Sequence, residues 1–274
     1  MLTLLYLTDL YYQAKGRKYY EEDLFITSQL KEHFNVLIGH PQQAIALSEY
    51  ADLILFRNTG PVSAYQEYFD RFMGIAQEKN LRTFNSFDGK ADMRGKQYLL
   101  DLYELSYPVI PTVEHFGGIS KFPASDQYVV KLRNGADSIG MEILTHKELF
   151  LNNPQDKLIQ PFIDFQYEVS FYYLNNSFQY ALHAPIKEKR WELVEYEPTK
   201  EDLSFAEQFI QWNNMKRGII RVDACRQKDG TLLLVELEDL NPFLSLGLLN
   251  ATKRKLFMEE FISALKKMEA EIEG

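Results

Sequence analysis

Four short apolar runs open the chain, separated by segments with helical spacing. The runs at 2–8 ("LTLLYLT"), 35–40 ("NVLIGH"), 52–58 ("DLILFRN") and 81–85 have the length and continuity of buried strands. Between them, 21–34, 41–51 and 62–79 read as helices; acids fill the first turn of 21–34, and Pro41 opens the second. Strand and helix in alternation predict a parallel sheet covered on both faces, ending near residue 87.

The pattern then changes. A polar loop leads into a helix over 91–105, after which Pro108 and Pro111 force extended chain. "QYVVKLRNGADSIGMEIL" (127–144) reads as strand, glycine-containing loop, strand. Strands follow over 156–163 and 167–186, the second folded back at Asn175-Asn176. A helix over 200–216 takes Thr199 as its N-cap. A last helix over 253–272 turns Phe257, Phe261, Leu265, Met268 and Ile272 toward a core. The expectation is a mixed α/β protein in three parts, at 1–87, 88–163 and 164–274.

One stretch does not fit an ordinary strand pair. "RVDACRQKDGTLLLVELEDLNP" (221–242) places Asp229-Gly230 between two apolar runs, the signal of a two-residue hairpin turn. With that turn, Asp223 faces Glu236 and Arg221 faces Glu238. These four side chains share one face, and Val222, Ala224, Val235 and Leu237 share the other. Facing carboxylates repel unless a cation lies between them. Arg221 can neutralise Glu238, which leaves Asp223 and Glu236 without a partner. A hard divalent cation such as Mg²⁺ meets that need, since it prefers oxygen ligands. A solvated acidic face with one Arg–Glu pair is the alternative.

Other candidates are weaker alone. Lys131 sits inside an apolar strand, and Gly135 and Gly140 bracket a loop able to turn backbone N–H groups toward an anion. That loop has neither the Gly-Lys-Ser/Thr of a Walker loop nor the dinucleotide glycine pattern. Composition narrows the classes. The 274 residues carry a net charge of -9, which argues against sequence-independent nucleic-acid binding. A single cysteine, Cys225, fits a reducing cytoplasm. The N-terminus does not read as a signal peptide, and no apolar run reaches membrane-span length, so no membrane partner is expected.

Taken in order, these segments resemble the ATP-grasp superfamily of carboxylate–amine and carboxylate–thiol ligases. "GKQYLLDLYELSYPVIPT" is similar to the segment whose lysine contacts ATP phosphates, which places Lys96 there. "YVVKLRNGADSIGMEIL" is similar to the second nucleotide lysine, at Lys131, and its phosphate loop, with Gly135, Ser138 and Gly140. "LIQPFI" resembles the adenine hinge, which implies Gln160, Phe162 and Ile163; Glu168 matches the ribose acid. "RVD…VELE" resembles the metal segment, with Asp223 and Glu236 as ligands. Three departures stand out. Gln160 replaces an acid, Leu132 replaces a proline after Lys131, and Glu238 stands where an asparagine is usual. Either Glu238 or the later Asn241 would complete the metal set. A late basic residue is expected among His183, Lys187, Lys189 and Arg190.

The resemblance implies ATP and Mg²⁺ as cofactors, and unknown carboxylate and amine substrates joined through an acyl phosphate. Arg221 would either stabilise an oxyanion or act structurally through Glu238. An ATP-binding assembly protein without ligase turnover is the alternative. Arg57, Asn58 and the loop 11–20 are placed to reach an acceptor pocket; the alternatives are a surface cap at Arg57 and a mobile loop, not a binding motif, at Lys15, Arg17 and Lys18.

Overall fold

The computed structural model describes residues 1–13, 18–57, 62–123, 125–135, 140–152 and 156–270. The first part comprises β1 (Thr3–Leu7), α1 (Tyr19–Leu30), β2 (Asn35–Gly39), α2 (Ala44–Ser48), β3 (Leu53–Phe56), α3 (Gln66–Glu78) and β4 (Thr83–Phe84). Its strands form a parallel sheet in the order β2-β1-β3-β4. The unbroken apolar runs arise because both faces are covered. Leu5, Leu7, Ile54 and Phe56 pack under α2 and α3, while Leu4, Tyr6, Leu53 and Leu55 face α1.

The middle part holds α4 (Gln97–Glu104), β5 (Gln127–Leu132), β6 (Glu142–Thr145), α5 (His146–Asn152) and β7 (Lys157–Pro161), with the strands antiparallel in the order β6-β5-β7. The last part holds β8 (Tyr167–Leu174), β9 (Ser177–Ala184), β10 (Val194–Tyr196), α6 (Lys200–Asn213), β11 (Ile219–Arg226), β12 (Leu232–Glu238) and α7 (Ala251–Ala270). Its antiparallel sheet runs β10-β9-β8-β11-β12. One face packs Ala181, Ile220, Val222 and Leu237 against α4 and α6. From the other, Tyr172, Leu174, Tyr180 and Leu182 join Phe257, Phe261 and Leu265 of α7 in the core that also covers β1 and β3. This shared core holds the first sheet against the last.

The Asn175-Asn176 turn forms as expected, with Asn175 at φ 54°. Thr199 caps α6 through its hydroxyl, which accepts from the Asp202 N–H at 3.2 Å, and the Asp202 carboxylate accepts from the Thr199 N–H at 3.0 Å. The helix expected over 91–105 is broken instead. A 3₁₀ turn at Asp92–Arg94 ends at Gly95, and α4 begins at Gln97. The helix expected over 41–51 is shortened by a 3₁₀ turn at Pro41–Gln43. α5 and β10, too short for a periodic signal, had no counterpart in the sequence reading. Ile272 lies outside the described residues.

Candidate functional site

The acidic hairpin reaches the expected register by an unexpected route. Gln227 pairs with Thr231 through a backbone bond of 2.8 Å, and Gly230 at φ 90° donates back to the Gln227 carbonyl at 3.0 Å. The loop is therefore Lys228-Asp229-Gly230, one residue longer than a two-residue turn, and it offsets the strands by one. A bulge restores them: Ala224 pairs with Leu234, Asp223 pairs with Glu236, and Val235 between is extra. Arg221 then faces Glu238. Leu234 and Leu237 enter the core at 0% exposure, and Val235 is left on the cleft wall, correcting its expected place on the apolar face.

Carboxylate oxygens of Asp223, Glu236 and Glu238 lie within 4.8 Å of one another. Contrary to expectation, neither Asp223 nor Glu236 lacks a partner. The Arg221 guanidinium reaches along its own strand and donates to both Asp223 oxygens, from Nε at 2.9 and 3.0 Å and from Nη2 at 2.8 Å. Its Nη2 also meets Glu238. Ser170 Oγ donates to Asp223 at 2.6 Å. The Lys96 ammonium, 5% exposed, bonds Glu236 and lies 3.4 Å from Asp92. Burial pushes the Glu238 carboxyl up to about 7, against the opposing pull of Arg221.

The segment carrying Lys96 is itself held by a buried acid that the sequence reading missed. Asp239, 0% exposed, accepts from the Ala91 and Met93 N–H groups at 2.9 Å each. A Cβ on Gly89 would come 2.2 Å from its Oδ2, so the close approach needs glycine. Gly95 at φ 77° makes the bend before Lys96. The Lys96 N–H donates to the Arg133 carbonyl at 2.8 Å, which ties the start of α4 to the end of β5. Lys131, on β5, is half-buried near Lys96; burial first, then the neighbouring ammonium, hold it down to about 7.

Glu168 is engaged by Arg190, whose Nε and Nη2 meet its two oxygens at 2.8 Å each. Of the late basic residues, only Arg190 lines the cleft. Lys187 pairs with Asp164, Lys189 with Glu192, and His183 packs against Tyr167 and Tyr196. Gly135 and Asn241 also line the cleft; Gly140 sits exposed before β6, and Ser138 lies outside the described residues. Gln160 is buried, its Nε2 donating to Thr112 Oγ1 at 2.8 Å, and the Phe162 N–H is spent on the Gln127 carbonyl at 2.9 Å. Neither these two nor Ile163 lines the cleft. Arg57, expected at an acceptor pocket, is 1% exposed and donates to the Pro242 carbonyl at 2.9 Å. It fastens the first sheet to the segment after the hairpin. Asn58, Lys15 and Arg17 lie outside the described residues.

The cleft encloses about 530 Å³ between the hairpin, the Asp92–Gly95 turn and residues of α1 and α3. Four carboxylates that line it, Asp92, Asp223, Glu236 and Glu238, pair with two cations, Lys96 and Arg221. The excess of negative charge and the all-oxygen donor set fit a hard divalent cation. Asp92, four residues before Lys96 in the sequence, was legible as an i,i+4 pair and was missed.

No protein-family profile matches the chain, and no curated protein matches it in sequence. Solved structures do resemble it in fold. D-cycloserine synthetase DcsG superposes with a TM-score of 0.72 at 16% identity, over 96% of this chain and 99% of that one. D-alanine–D-alanine ligase from Bacillus anthracis, complexed with ATP, gives 0.66 at 12% identity over 99% and 98%. The ATP-grasp ligase PsnB, complexed with a precursor peptide and AMPPNP, gives 0.63 at 12% over 97% and 96%. The chain has the ATP-grasp fold. No helix among the described residues is long and apolar enough to cross a membrane.

Proposed function

We propose that this protein is an ATP- and Mg²⁺-dependent ligase that joins a carboxylate to an amine through an acyl phosphate. The observation that carries the reading is the convergence of Asp223, Glu236 and Glu238 within 4.8 Å on the wall of a cleft shared with Gly135 and Arg190. The likeness in fold to ligases supports it.

Asp223, Glu236 and Glu238 would hold Mg²⁺, with Glu238 in the position where the asparagine is usual; the ion would neutralise phosphate charge. Lys96, released from Glu236 by that exchange, and Lys131 would bind phosphate oxygens, together with Arg190 of the cleft. A substrate carboxylate oxygen attacks the γ-phosphorus, the bond to the bridging oxygen breaks, and ADP leaves. The amine nitrogen then attacks the acyl carbon, loses a proton, and phosphate departs. Positioning and charge neutralisation supply most of the catalysis in such transfers. Arg221, occupied by Asp223 and Glu238, acts as a positioning residue for the metal acids.

The test is oxygen transfer. With a substrate pair found by phosphate release, a carboxylate labelled with heavy oxygen should pass one label to the released phosphate. Unlabelled phosphate alongside ligated product would exclude the acyl phosphate.

A further inference from the structure

Six carboxylates and three guanidinium groups line the cleft. Five of the carboxylates are engaged by Lys96, Arg190 or Arg221. Among the described residues, one cleft group of each sign has no ion-pair partner: Asp70 and Arg94. Asp70, on α3, accepts one hydrogen bond, from Gln66 Nε2 at 2.8 Å. Arg94 ends the 3₁₀ turn two residues before Lys96. Its neighbour Met93 is pinned by Asp239 and packs on the apolar cluster that contains Phe69 and Phe72 of α3. The backbone that carries Arg94 is therefore fixed beside the helix that carries Asp70. Both side chains are exposed, and solvated surface charges need no partner, but these two border the cleft from elements other than the strands that carry the metal acids.

We propose that Arg94 and Asp70 are the recognition pair for an amino-acid-like zwitterion, Arg94 taking its carboxylate and Asp70 its ammonium. A guanidinium suits planar, two-pronged recognition of a carboxylate, and an acid without a cation suits an ammonium. Two apolar residues, Met73 of α3 and Val62 of the 3₁₀ turn before it, also border the cleft and suit an aliphatic side chain. The inference rests on the ligase reading of the same site. Arg94 could equally meet a phosphate oxygen of the nucleotide, so the experiment separates the two anions.

Phosphate release from Mg-ATP is measured with L- and D-amino acids, singly and in pairs. Matched compounds that lack one charge, such as ethylamine and propionate against alanine, serve as probes. Release should respond to zwitterions and not to the matched compounds. Arg94→Gln and Asp70→Asn should each raise the KM of the responding amino acid on the order of tenfold to a hundredfold, with the affinity for Mg-ATP alone unchanged. Three results would overturn the inference while leaving the ligase reading intact: Mg-ATP binds but no zwitterion stimulates release, both variants keep the wild-type KM, or Arg94→Gln weakens Mg-ATP binding without amino acid present. A wild type that fails to bind Mg-ATP would sink the ligase reading beneath it.

Discussion

Asp223 stands opposite Glu236 because Val235 is an extra residue in β12. The three-residue loop offsets the two strands, and the bulge removes the offset just before the acids. The frame has a direct consequence in the core. Leu234, at 0% exposure, replaces Val235 as the buried neighbour of Ala224. Leu234→Ala should lower stability by about 2–5 kcal/mol, and Val235→Ala by less than about 1 kcal/mol. Urea unfolding of the two variants checks this. A regular hairpin with a two-residue turn gives the reverse order.

This is also where the sequence was least legible. Period-2 alternation and the Asp-Gly pair led to the right facing residues through the wrong turn, since two irregularities that cancel leave no trace in the pattern. The parallel sheet was legible because β1 and β3 are buried on both faces, and α7 because its apolar residues recur at helical spacing. The partners of the acids were not. Lys96 comes to Glu236 from a segment 140 residues away, and a bulge-free strand diagram holds no information on that approach. Arg57 was open to two readings, a ligand-facing strand end or a surface cap, yet it is buried, and its contact with Pro242 depends on how the first sheet meets the last.

The buried attachment of Arg57 supports a stability prediction. Glu22 accepts from the Leu244 and Leu246 N–H groups at 2.9 Å each and lies 3.6 Å from Arg57. Removing it leaves two buried backbone donors without their acceptor and takes from the buried guanidinium one of its two neighbouring carboxylates, Asp23 being the other. Glu22→Ala should cost about 3–5 kcal/mol, and Glu22→Gln less, because its amide oxygen can keep one N–H. Denaturant midpoints of both variants test the order; equal stability of wild type and Glu22→Ala would contradict the role.

Lys131 gives a pH-dependent prediction. In the free protein burial and Lys96 hold its ammonium down to about 7, so at about pH 8 the amine is mostly neutral. Bound phosphates favour the charged form and raise that value. ATP binding at about pH 8 should therefore take up close to one proton, and binding at about pH 6 much less. Calorimetry in buffers of different ionisation enthalpy reads the uptake. It should vanish in Lys131→Met; an uptake unchanged in that variant would assign the proton elsewhere.

The central claim is that the three clustered acids, Asp223, Glu236 and Glu238, hold a divalent cation for ATP. Calorimetric titration of ATP with and without Mg²⁺, on the wild type and on Asp223→Asn/Glu236→Gln, tests it most directly. The wild type should bind ATP at least about tenfold more tightly with Mg²⁺, about 1.4 kcal/mol, and the folded double variant should lose that gain. A metal-dependent gain that survives both substitutions would contradict the account.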